Sequence, residues 1–104
     1  MSEEMEVRSL AADEVQSLGH DVVFCDVREP EEFAQGHIPN ALWIPLGELA
    51  SRFAEIPRDQ EVIMVCHSGR RSHRACEFLI SQGYTQTINL LGGMLQWTGE
   101  VVVD

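Results

Sequence analysis

Residues 62–65, Val-Ile-Met-Val, limit the fold more than any other stretch. A short β-branched run with no polar alternation suits a strand covered on both faces, and Val22-Val23-Phe24-Cys25 repeats the pattern. Helical patterns separate the apolar runs, which implies an α/β domain whose mostly parallel sheet has helices on both faces. Glu6-Val7-Arg8 reads as a short edge strand, with Ser9 capping a helix over about Ala11–Leu18 that Gly19-His20-Asp21 ends. Pro30 begins a helix over Glu31–Gln35, stopped by Gly36. Pro39-Asn40 turns the chain into a strand over Ala41–Ile44. A helix over Leu46–Glu55 is expected next, with Leu46, Leu49, Ala50 and Phe53 on one face. After the strand at 62–65 come a helix over Ser72–Gln82 with Gly83 at its C′ position, and a strand over Ile88–Leu90. Gly92-Gly93 then leads into a small terminal helix carrying Trp97.

The chain of 104 residues suffices for one domain with a single core, expected over residues 6–99 between short tails at 1–5 and 100–104. Its net charge of −10 argues against nucleic acid and anionic membrane as partners. No apolar run nears the ~20 residues of a membrane span, and the start, Met1-Ser2-Glu3-Glu4, is acidic where a secretory signal would be basic. A cytoplasmic monomer is the default expectation. Three cysteines suggest no disulfide framework. Cys66, His67, His73 and Cys76 lack paired-ligand spacing, so neither metal nor cofactor is expected.

The charge is unevenly placed. There is no lysine, and Arg70, Arg71 and Arg74 fall in the acid-free segment 66–74, which carries +3 and leaves −13 for the rest. Either a small anion gathers at this segment, or the arginines are a solvated face. Cys66-His67-Ser68-Gly69-Arg70-Arg71-Ser72 places a sulfur at the carboxyl end of a buried strand, beneath loop amides and a helix N-terminus. Those surroundings favour thiolate, and the same amides and arginines suit an oxyanion. In parallel sheets ligands bind outside the carboxyl ends of the strands, and Asp26 and Cys66 both follow strands directly.

Four ordered blocks carry a resemblance: Asp26-Val27-Arg28-Glu29-Pro30-Glu31-Glu32-Phe33, Gly36-His37-Ile38-Pro39-Asn40-Ala41, the segment 66–72, and Gly92-Gly93 with Trp97. Together, over residues 6 to 99, they resemble a rhodanese domain. The resemblance implies a three-layer domain with a central five-stranded mostly parallel sheet, acting as a single-domain sulfurtransferase. Asn40 stands where the family usually has glycine; Asn tolerates left-handed backbone angles, so the turn is expected to survive. The implied reaction passes sulfane sulfur from thiosulfate or a persulfide donor, through a Cys66 persulfide, to a thiol, cyanide or a protein acceptor. A rhodanese-fold binding or sulfur-relay module with little small-molecule turnover is the alternative. Arg71 lies five residues after Cys66, a C-x₄-R loop. Phosphatases of the related cell-cycle class resemble C-x₅-R, and the shorter loop disfavours that chemistry.

Cys66 is therefore the expected nucleophile, with His67, Ser68, Gly69, Arg70, Arg71 and Ser72 around the substrate. Arg71 leads for contacting the donor's sulfonate; Arg70 either assists or projects to solvent. His67 as a general acid is not required. Asp26, Arg28 and Glu32 read as an internal network that fixes the loops, with Arg28 holding the anion as the other reading. His37 reads as a turn anchor, and Trp43 and Trp97 as packing. Cys25 is expected to be inert. Cys76 is either a resolving thiol or a small residue filling space under the loop.

Overall fold

The computed structural model describes residues 6–103; the tail expected over 1–5 lies outside them. Five strands, β1 (Arg8–Leu10), β2 (Val23–Asp26), β3 (Leu42–Trp43), β4 (Val62–Val65) and β5 (Thr87–Leu90), form one sheet in the order β1-β5-β4-β2-β3. Every pairing is parallel. This is the five-stranded rhodanese-like α/β architecture implied by the sequence blocks. Parallel neighbours need crossovers, and the helices α1 (Ala12–Gln16), α2 (Pro30–Ala34), α3 (Leu49–Arg52) and α4 (Arg70–Ser81) lie between the strands.

The centre of the sheet follows from side-chain alternation. Val62 and Met64 join one core with Cys25, Leu49, Ile56, Ala75, Cys76 and Leu79. Ile63 and Val65 join the opposite core with Val15, Ile38, Ile88 and Leu90. An all-apolar β4 therefore serves two cores at once. Cys66 continues the parity of Val62 and Met64, which places it on the α4 side.

Several element bounds differ from the expected ones. Ser9 lies inside β1 rather than capping a helix; α1 is entered at Ala11, whose amide donates to the Glu14 carboxylate at 2.8 Å. The helix expected over Leu46–Glu55 is broken into a 3₁₀ turn at Leu46–Glu48, α3, and a second 3₁₀ turn at Phe53–Glu55. Gly47 weakens the first turn, and the Ser51 hydroxyl donates to the Glu48 carbonyl at 3.0 Å, competing with helical bonding. Trp97 lies beyond a 3₁₀ turn at Gly93–Gln96, in extended conformation, with its ring edge-on to Phe24. Asn40 takes φ +64°, the left-handed conformation its side chain tolerates. Within the stretch expected as a tail, Val102 forms an antiparallel bridge to His37.

Candidate active site

β2 and β4 are neighbours in register, with Asp26 opposite Val65, so the residues that follow them emerge at one edge of the sheet. Cys66 leaves β4 there and is buried. The chain then turns through Gly69, whose φ of +97° is left-handed, and α4 begins at Arg70, two residues before the expected start at Ser72. Only glycine takes that turn cheaply. A Cβ on Gly69 would also stand 3.1 Å from the Gly92 nitrogen.

The turn aims donors at the sulfur. The Gly69 amide donates to Cys66 Sγ at 3.0 Å, and Ser72 Oγ lies 3.2 Å from it. Burial opposes ionisation of the thiol, but the hydrogen bonds that the ionised sulfur receives, from the Ser72 hydroxyl and the amides of Ser72, Gly69 and Ser68, outweigh it and hold Cys66 below its usual value. The other two cysteines are opposites. Burial raises Cys25 and Cys76 to about 12 each; they are covered no more than Cys66, and the difference is that hydrogen bonds to the Cys66 sulfur outweigh its burial. A resolving role for Cys76 would need a thiolate that this environment suppresses.

The start of the loop is clamped from below. Met94 and Leu95 donate their amides to the Cys66 and His67 carbonyls at 2.8 and 3.0 Å. That approach requires glycine at 93, where a Cβ would meet the Cys66 carbonyl oxygen at 2.5 Å. Gly92-Gly93 is thus more than a turn: it is the floor of the cysteine loop.

Asp26 and Arg28 form a buried pair, with Arg28 Nε 3.0 Å from both carboxylate oxygens and Nη2 2.9 Å from Oδ2. Arg28 also donates to the Glu32 carbonyl at 3.1 Å and the Gly36 carbonyl at 2.8 Å, tying β2 to α2 and to the turn that follows it. All three nitrogens of its guanidinium are thereby engaged. The Glu32 carboxylate turns instead to Arg71, which donates two bonds of 2.8 and 2.7 Å. Chiefly through that hydrogen bonding, Arg71 lowers Glu32 from its usual 4.5 to about 2. The arginine expected to lead in reading an anion is therefore already paired. Trp43 donates to the Arg28 carbonyl at 2.9 Å and stacks on Phe33, which in turn stacks on His37.

His67, Ser68, Arg70 and Arg74 are exposed. A cavity of about 750 Å³ opens beside the loop, and its wall includes Gly69, Arg70, Arg71, Arg74, Glu77 and Asn89. Asn89 was missed by sequence reasoning. It is buried on β5, accepts a 2.5 Å bond from Ser72 Oγ, and donates to the Gly69 carbonyl at 3.2 Å. A lone polar residue in the apolar run Ile88-Asn89-Leu90 was the available signal. The Glu32–Arg71 pair spans 39 residues and had none.

The class follows from these observations: a parallel α/β domain presenting one activated thiol in an amide-lined loop at the carboxyl edge of its sheet. Residues 10–100 match the family described as Rhodanese-like domain, and the chain belongs to that family. A protein of Allochromatium vinosum named "Sulfurtransferase" is 47% identical over 77 residues, covering 74% of this chain and 72% of that protein. The "Thiosulfate sulfurtransferase GlpE" of Pseudoalteromonas translucida is 34% identical over 77 residues, covering 74% and 73%. The crystal structure of a rhodanese-like domain protein from Staphylococcus aureus aligns at TM-score 0.86 and 30% identity, over 94% of this chain and 99% of that one.

Proposed function

We propose that this protein is a sulfurtransferase that works through a persulfide on Cys66. The thiolate attacks the outer sulfur of thiosulfate, an S–S bond forms on Cys66, and the donor's S–S bond breaks with its electron pair leaving on sulfite. With a persulfide donor the leaving group is a thiolate. An acceptor thiolate or cyanide then takes the outer sulfur, and the electron pair returns to Cys66. The observation that carries this reading is the Cys66 sulfur itself, at the sheet edge, accepting from the Gly69 amide at 3.0 Å with its ionisation favoured. No separate general base is needed, because the surroundings already favour the nucleophilic form.

Of the arginines on the cavity wall, Arg70 and Arg74 are the cations we assign to an anionic donor, because Arg71 is already paired with Glu32 and holds the loop to α2. His67 and Ser68, both exposed, border the approach, and the Ser68 amide completes the cradle. The acidic remainder of the surface would favour a basic protein as acceptor, should the acceptor be a protein.

Intact mass after incubation with excess thiosulfate tests the reading, with Cys66→Ser alongside. A gain of one sulfur, about 32 Da, on the wild type alone and its loss on adding cyanide is the expected result. The same adduct on Cys66→Ser would remove Cys66 from the mechanism. If only a persulfide donor loads the protein, the donor is a persulfide and not thiosulfate; loading by neither leaves the binding-module reading.

A further inference from the structure

The hydroxyl of Ser72 has one proton and two claimants. Its oxygen lies 2.5 Å from Asn89 Oδ1 and 3.2 Å from Cys66 Sγ. The orientation of the Asn89 amide follows from its other side, where Nδ2 faces the Gly69 carbonyl at 3.2 Å, a group that only accepts. Oδ1 therefore faces Ser72, and an amide oxygen cannot donate. Two oxygens at that separation need a proton between them, so the hydroxyl proton sits toward Asn89. Ser72 then offers the sulfur a lone pair, which suits an S–H thiol and opposes a thiolate.

We propose that Asn89 is a positioning residue for Cys66, holding the proton of Ser72 so that the hydroxyl serves the sulfur only when Asn89 releases it. This rests on Cys66 being the reactive thiol. In the resting thiol the backbone amides alone are aimed at the sulfur. When Cys66 loses its proton to solvent, the Ser72 hydroxyl rotates toward the thiolate and leaves the buried Asn89 oxygen without its donor. That lost bond opposes ionisation. Asn89 and Ser72 are both buried, so water does not readily take over either partner. Through Nδ2 the same side chain ties β5 to Gly69, the residue whose amide faces the sulfur.

The test is the pH dependence of Cys66 alkylation by iodoacetamide in the native protein, located by peptide mass. Asn89→Leu frees the hydroxyl, so alkylation well below the thiol midpoint should speed by about three- to tenfold, tenfold being one pH unit of midpoint. Asn89→Asp keeps the acceptor and adds negative charge, so alkylation should slow. Ser72→Ala should slow the wild type by about twofold at most, yet cancel the gain in the Asn89→Leu background; this non-additivity is the signature of a shared proton. Unchanged or slower alkylation in a folded Asn89→Leu protein overturns the proposal. So does a tenfold slowing by Ser72→Ala alone, which keeps the test decisive should leucine not be accommodated in β5. A wild-type Cys66 that resists alkylation at neutral pH while Asn89→Leu makes no difference would instead count against the nucleophile itself.

Discussion

The Glu32–Arg71 bridge should be worth about 1–2 kcal/mol and should disappear in acid. The magnitude starts from the carboxyl, held at about 2 instead of 4.5. That difference corresponds to at most about 3 kcal/mol. The two side chains are 33% and 30% exposed, so solvent screening reduces it to about 1–2 kcal/mol. The perturbation is a double-mutant cycle of Glu32→Gln and Arg71→Met. Glutamine keeps an oxygen for the Glu29 amide that Glu32 accepts at 3.0 Å, so the entry to α2 is preserved. Urea denaturation at pH 7 should give a coupling of that size. The sign with pH follows from the lowered carboxyl: the contribution is complete above about pH 5 and is lost as pH falls from 4.5 through about 2, below which both states are protonated. The gap between wild type and Glu32→Gln should therefore close between pH 5 and 2. A coupling below about 0.3 kcal/mol, or a gap constant across that range, refutes the reasoning. The kinetic counterpart is that Arg71→Met should slow thiosulfate and neutral persulfide donors alike. A rise in KM confined to thiosulfate would mean that Arg71 contacts the anion after all.

Arg28→Leu should cost about 3–5 kcal/mol in chemical denaturation, because it leaves the fully buried Asp26 carboxylate without its counter-charge and the Gly36 carbonyl without its donor; a loss under about 1 kcal/mol would contradict this. Gly93→Ala should destabilise by about 1–3 kcal/mol or more, since its Cβ meets backbone atoms of Cys66 and His67 that cannot step aside; an unshifted Tm would refute the clamp. In native protein at pH 7, Cys66 should be alkylated while Cys25 and Cys76, both near 12, stay unmodified until denaturant is added. Labelling of Cys76 at a comparable rate would restore its resolving role.

Much of the architecture was readable from local patterns. β4 was readable because a short β-branched apolar run, entered from Glu61 and left through the Cys66-His67-Ser68-Gly69 turn, has few other uses in a small domain. The break at Gly47 and Ser51 was not, because a helical face and a chain of short turns present the same apolar residues to the core. The sequence alone determined that one thiol sits after a central strand, before a helix, in a loop of fixed length. Covalent order sets that arrangement, and the left-handed turn at Gly69 tolerates little else. Only tertiary structure decided which arginine is occupied and which polar side chain reaches the loop. Arg71 meets Glu32 across 39 residues, and Asn89 meets Ser72 across 17, because parallel pairing brings distant strand ends to one edge. Such charge and proton assignments depend on distance and burial, and neither is encoded in any short stretch of chain.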